Sequence, residues 1–167
     1  MTTLYAQPYD ITATGFYFET AEQYAALAKK ARNDYGQPVE ELEIQFIDGE
    51  ALDAELAQAW GLNQATFAAF LDAAADWEDH SKIRLIIAIR EGIGFNAQTD
   101  DIDALEVDIY GVETMRELAE QFVDDGLFGD IPEALRGYID YEAIARDLAM
   151  DYSEIAIAGE RLIYRCG

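Results

Sequence analysis

Apolar and polar residues alternate through Glu41-Leu42-Glu43-Ile44-Gln45-Phe46-Ile47-Asp48. That period of two predicts a strand with one buried face, ended by Gly49. Residues 3–9 and 15–19 alternate or carry aromatics, and predict two more strands joined by a turn over 10–14. Between these strands and the third, Thr20 is placed to cap a helix over 21–35, stopped by Gly36 and Pro38. Together these elements predict a small α/β unit over residues 1–61.

Helical spacing takes over next. Residues 50–60 and 64–77 read as helices, the second with Phe67, Phe70, Leu71 and Ala74 on one face. The run 82–91, with Ile83, Leu85, Ile86, Ile87 and Ile89, suits a buried strand or a buried helix, and composition favours strand. Residues 92–103 read as loop, and 62–103 as a helical middle unit. Leu105-Glu106-Val107-Asp108-Ile109-Tyr110 alternates again and predicts a strand. A helix over 112–125 ends at Gly126, and a short one over 132–138 starts at Pro132. Asp140 is placed to cap a helix running to about residue 150. Residues 153–158 and 161–165 predict a terminal hairpin turning at Gly159-Glu160. The pattern is an α+β fold with antiparallel sheets.

Charge changes this picture more than any motif does. The chain carries 34 acids and 11 bases, a net charge of −23 over 167 residues. Solubility asks for roughly 2–8 charges on a small domain. No Lys or Arg lies between Arg32 and Lys82, where twelve acids do, and none between Arg90 and Arg116, where seven do. The acids alternate with apolar residues, so they decorate folded elements and do not form a tail. This sign excludes nucleic acid as a ligand and disfavours anionic membranes. It leaves several readings open: adaptation to high salt, in keeping with only three lysines (Lys29, Lys30 and Lys82); charge as the working part, whether in imitation of DNA or as an acidic binding module for another basic DNA-binding protein; or a carboxylate-based hydrolase, for which no acid pair is singled out.

The spacing fits imitation of a duplex. Asp72/Asp76 and Glu113/Glu117 stand four apart, which on a helix places carboxylates about 6 Å apart along the axis. Glu120 and Asp124 continue the second series, and Glu78, Asp79, Asp100, Asp101, Asp103 and Asp125 add to the candidate surface. Duplex DNA carries about one charge per 1.7 Å, so 23 net charges match roughly 40 Å of it.

Catalytic chemistry has little to work with. His80 is the one histidine and sits beside Glu78 and Asp79, a surface setting. Cys166 has no partner for a disulfide, in keeping with a reducing cytoplasm. The N-terminus reads as carrying no signal peptide, and no apolar run reaches membrane length. Gly92-Ile93-Gly94 lacks the third glycine of a phosphate cradle, and Asp100-Asp101-Ile102-Asp103 lacks the Gly and Glu of a calcium loop. No cofactor or metal is expected. Phe67, Phe70 and Trp77 read as core. Tyr138, Tyr141 and Tyr152 suit either core or a partner surface.

One stretch is specific. Gly129-Asp130-Ile131-Pro132-Glu133-Ala134-Leu135, then Tyr138-Ile139-Asp140-Tyr141-Glu142 and Ala145-Arg146-Asp147-Leu148, resembles the signature of the ArdA antirestriction proteins. The strand at Tyr110, the helix after it and the terminal hairpin follow that family's order over about 105–165. Upstream, residues 41–48 lack the His-Asp-Tyr that the family usually carries there. The resemblance implies an elongated protein of three small domains, here 1–61, 62–103 and 104–167, with 82–91 helical. It implies a homodimer formed through the C-terminal domain, and no enzymatic activity. It further implies a DNA mimic that occupies the DNA-binding groove of type I restriction–modification enzymes, in the cytoplasm, and so protects incoming plasmid, transposon or phage DNA. Within the motif, Ile131, Leu135, Ile139 and Leu148 are expected in the core. Arg146 is expected to pin the helices through an ion pair, and Asp130, Glu133, Asp140 and Glu142 to join the mimic surface.

Overall fold

A computed structural model describes all residues 1–167. The fold is mixed α+β, with seven α-helices and two three-stranded antiparallel sheets. The chain divides into two compact units, Met1–Leu105 and Glu106–Gly167. The boundary expected between residues 61 and 62 falls inside the first unit.

In the first unit, β1 (Thr3–Pro8) is the central strand between β2 (Phe16–Phe18) and β3 (Leu42–Asp48). Leu4 faces Phe18 on one side and Phe46 on the other, and the alternate residues Leu4, Ala6 and Pro8 are buried. Gly15 is required by close approach: a Cβ there would lie 2.3 Å from the Ala6 carbonyl oxygen. Helix α1 (Ala21–Lys30) is capped as expected, with Thr20 Oγ1 accepting from the Gln23 amide at 3.1 Å.

That helix stops at Lys30, five residues short of the expected end. Asn33 is the cause, because its side chain offers the backbone an alternative to the helix. Its Nδ2 donates to Asp10 at 3.0 Å, and its Oδ1 accepts from the amides of Tyr35 and Gln37. The Asp34 amide donates to the Thr12 carbonyl at 3.1 Å, tying this loop to the β1–β2 turn. Hydrogen bonds from Asn33 and Thr12 hold the Asp10 carboxyl below its ordinary pKa.

Three helices complete the unit: α2 (Ala51–Trp60), α3 (Phe67–Asp76) and α4 (Asp79–Arg90). Residues 82–91 are therefore helical over most of their length, as the family resemblance implies and composition does not. Leu85, Ile86, Ile87 and Ala88 are all buried, so α4 has almost no wet face and shows no amphipathic period. Aromatic contacts join sheet to helices: Phe18 meets Phe67 edge-on at 5.2 Å, and Phe46 meets Phe70 at 6.4 Å. Phe67 and Phe70 are buried as expected, whereas Trp77 is half-buried.

In the second unit, β6 (Glu160–Cys166) lies between β4 (Val107–Tyr110) and β5 (Ser153–Ile157). The hairpin turns at Ala158-Gly159, one residue earlier than expected. Both residues have positive φ, 50° and 83°, as a two-residue hairpin loop demands. Helix α5 (Met115–Asp124) is capped by Thr114 and α7 (Tyr141–Leu148) by Asp140, whose carboxylate accepts from the Ala143 amide at 3.0 Å. A single turn, α6 (Glu133–Arg136), lies between them. Leu118, Phe122 and Ile163 form the core, with Tyr110, Val112, Met115, Leu148 and Tyr152 packed around it. Burial pushes the Tyr110 hydroxyl above its ordinary pKa.

Candidate functional site

The carboxylates are almost all at the surface. Of the 34 acids, Asp53 is buried; Asp10, Glu19, Glu55 and Glu120 are half-buried; the other 29 are exposed. From residue 33 to the end of the first unit the only bases are Lys82, Arg84 and Arg90, and each is paired. Lys82 bridges to Asp53 at 2.7 Å, Arg84 to Asp103 at 3.6 Å and Arg90 to Glu55 at 2.6 Å. The free cations of that unit, Lys29, Lys30 and Arg32, gather at the C-terminal end of α1, where the helix dipole favours them. The negative field of the first unit thus arises from residue 34 onward.

The expected mimic residues divide into free and engaged groups. Asp72, Asp76, Glu78 and Asp79 are exposed at the end of α3 and the start of α4, as is Asp125 beyond α5. In the loop before β4 the carboxylates brace the backbone. Asp100 accepts from the Asn96 amide at 2.7 Å and Asp101 from the Asp103 amide at 3.0 Å. On α5 the series is broken up. Glu117 accepts from the Glu113 amide, Glu120 pairs with Arg116 at 3.0 Å, and Asp124 pairs with Arg136 at 2.9 Å. Spacing set these carboxylates on one helix, but neighbouring elements decided which remained free.

The signature stretch is mostly scaffold and exposed apolar surface. Glu142 pairs with Arg116 at 2.6 Å, and that bond, with the one to Glu120, raises the Arg116 pKa further. The Arg116 guanidinium also lies over the Tyr141 ring, 5.8 Å from its centroid. The helix-bridging role expected of Arg146 therefore falls to Arg116, which joins α5 to α7, and to Arg136; Arg146 and Asp147 are exposed. Of the four residues expected in the core, Leu148 packs against it and Ile131 and Ile139 are half-buried. Leu135 is 54% exposed, because α6 is a single turn with no face against the sheet. Ala145 is buried, and Asp130, Pro132 and Glu133 are exposed. Tyr138 is 85% exposed, Tyr141 half-buried, and Tyr152 part of the core. Leu127, Phe128 and Met150 are exposed as well, so five large apolar side chains of the second unit are uncovered, all between residues 127 and 150.

Two features of the first unit arise only from tertiary contacts. The Asp53–Lys82 pair is buried, with Lys82 Nζ also donating to the Ala74 carbonyl at 2.8 Å. Its signal was an acid between Leu52 and Leu56, and a lysine heading the most apolar run of the chain. The second is a pair of tryptophans, Trp60 and Trp77, with ring centroids 5.6 Å apart beside the free carboxylates of α3. His80 is exposed, and no group of three or more His, Cys, Asp or Glu is arranged to hold a metal ion. No helix is long and apolar enough to cross a membrane.

These features define a class: a small α+β protein that exposes 29 carboxylates and pairs few of them with bases. The chain belongs to the ArdA antirestriction protein family, whose model matches residues 19–159. It is a family of inhibitors of restriction–modification enzymes and not of enzymes. No curated protein matches the chain significantly.

Proposed function

We propose that this protein is a DNA mimic that occupies the DNA-binding groove of a type I restriction–modification enzyme and blocks it. The observation that carries this reading is the exposure of 29 carboxylates, spread over helices, strands and the loops between them, with every base between residues 33 and 105 spent in an ion pair. Such carboxylates replace phosphates against the Lys and Arg of the groove, and release counterions as DNA would. Helices and caps hold them in place, which lowers the ordering cost of binding. No bond is made or broken, and the site of action is the cytoplasm, where the target works.

The test is competition between this protein and duplex DNA for a type I methyltransferase across salt concentrations. The protein displaces DNA at low salt, and its affinity falls steeply as salt rises. Failure to displace DNA at low salt would sink the reading.

The same reading includes a homodimer formed through the second unit. Leu127, Phe128, Leu135, Tyr138 and Met150 supply the uncovered apolar surface that such an interface needs. Light scattering at micromolar concentration is expected to give twice the chain mass, and Leu135→Asp to shift the protein towards monomer. A wild-type monomer under those conditions counts against the dimer.

A further inference from the structure

Helix α3 carries Ala69, Asp72, Ala73 and Asp76 at positions i, i+3, i+4 and i+7, the spacing of a single helix face. Those four residues line a groove of about 210 Å³ together with Trp60, Trp77 and Ala97. Trp60 is held by its indole N–H, which donates to the Thr66 carbonyl at 3.1 Å. Trp77 meets Phe95 edge-on at 6.2 Å. The alanines leave room in the groove, and two carboxylates and two indoles line it.

No base of the chain neutralises this groove. The ion pairs of the first unit all lie elsewhere, and Lys82, the basic residue next in sequence to Asp76, is spent on Asp53. The volume is below the roughly 300 Å³ at which small-molecule sites begin, so it suits one side chain and not a nucleotide. Two carboxylates about 6 Å apart on a helix, next to an aromatic wall, match a planar cation that forks to both oxygens and stacks on a ring. A lysine ammonium has the charge but neither the plane nor the fork.

We propose that this groove receives an arginine side chain of the protein partner, its guanidinium stacked on Trp60 or Trp77 and bonded to Asp72 and Asp76. The proposal rests on the reading that the partner's DNA-binding surface is the target, and adds to it a contact that DNA itself does not make. The mimic would then hold its partner at a defined register, by a pocket, in addition to a diffuse field.

The two tryptophans are the only ones in the chain and both line this groove; each also lines a neighbouring cavity, so the response is assigned to the groove by variants of Asp72 and Asp76, which line this groove and neither of the others. The ¹⁵N-labelled full chain is titrated at low salt with acetyl-Gly-Arg-Gly-amide, and with its lysine and norleucine counterparts. The arginine peptide is expected to shift both indole resonances saturably, the lysine peptide to bind at least about threefold more weakly, and the norleucine peptide not to bind. The double variant Asp72→Asn/Asp76→Asn is expected to lose about tenfold in arginine-peptide affinity. Ala69→Leu fills the groove and removes the response with every charge kept. Absence of a saturable shift, equal response to lysine, or unchanged binding by the double variant would each overturn the proposal. DNA competition run beside it separates the two claims. Intact wild-type competition without an arginine response removes the groove alone. An arginine response in a protein that cannot displace DNA removes the mimic reading and leaves the groove.

Discussion

Lys82→Met destabilises the protein by about 3–5 kcal/mol, the cost of leaving a buried charge without its partner. Asp53 and Lys82 are each about 5% exposed, bonded at 2.7 Å, and Lys82 also bonds the Ala74 carbonyl near the end of α3. The pair therefore clamps α2, α3 and α4 at one point. Removing the lysine strands the carboxylate inside; removing the aspartate strands the ammonium. Removing both charges together is different. Asp53→Leu/Lys82→Met replaces an expensive desolvated pair with apolar volume, a change that is often neutral or stabilising. Urea unfolding followed by tryptophan fluorescence measures all three variants, since Trp60 and Trp77 lie in the same unit. A double variant as unstable as the sum of the singles would show that the pair, and not its unpaired remnant, holds the helices.

Charge reversal gives the second large effect. Replacing Asp72, Asp76, Glu78 and Asp79 by Lys removes four negative charges and adds four positive ones, taking the net charge from −23 to −15. Affinity in the DNA-competition assay is expected to fall by about a hundredfold at low salt, because these exposed carboxylates meet the partner's cations directly. Stability should change far less. All four are at the surface, though Glu78 and Asp79 sit at the N-terminal end of α4, where a lysine costs about 0.3–1 kcal/mol each against the helix dipole. Reversing Glu40, Glu41, Glu43 and Asp48 gives the same net charge at other exposed sites. If that control loses as much affinity as the test set, net charge does the work and the α3–α4 surface has no special part.

The two predictions draw on opposite uses of one residue type. Acids at the surface of this protein are tolerated in numbers that repel one another, and that repulsion costs stability. The few bases offset it locally. Arg116 and Arg136 hold the helices of the second unit together against their own carboxylates, and Lys82 does so inside the first. Because these bases are spent on structure, the carboxylates that remain free are left without internal counter-ions. They are available to cations supplied from outside.

Local pattern alone determined a good part of this protein. Strands β3 and β4 follow from period-two alternation, since one side of each pleat must be buried, and β2 from its run of aromatics. Thr20 and Asp140 mark helix starts because a short oxygen-bearing side chain satisfies an orphan amide there, whereas the helix expected from residue 112 starts only at Met115, where Thr114 caps it. The acidity, and the family to which the signature at residues 129–148 belongs, were also legible in the sequence. Tertiary structure decided the rest. It made α4 a helix although its residues favour strands, because burial on every side erased the period that would have told them apart. It ended α1 early, through Asn33 reaching across to Asp10. It left Leu135 in solvent and put Tyr152 in the core. It also sorted identical carboxylates into buried, paired and free. That sorting depends on which base or amide arrives from a distant part of the chain, as Lys82 reaches Asp53 and Arg116 reaches Glu142, and no spacing along one helix encodes such an arrival.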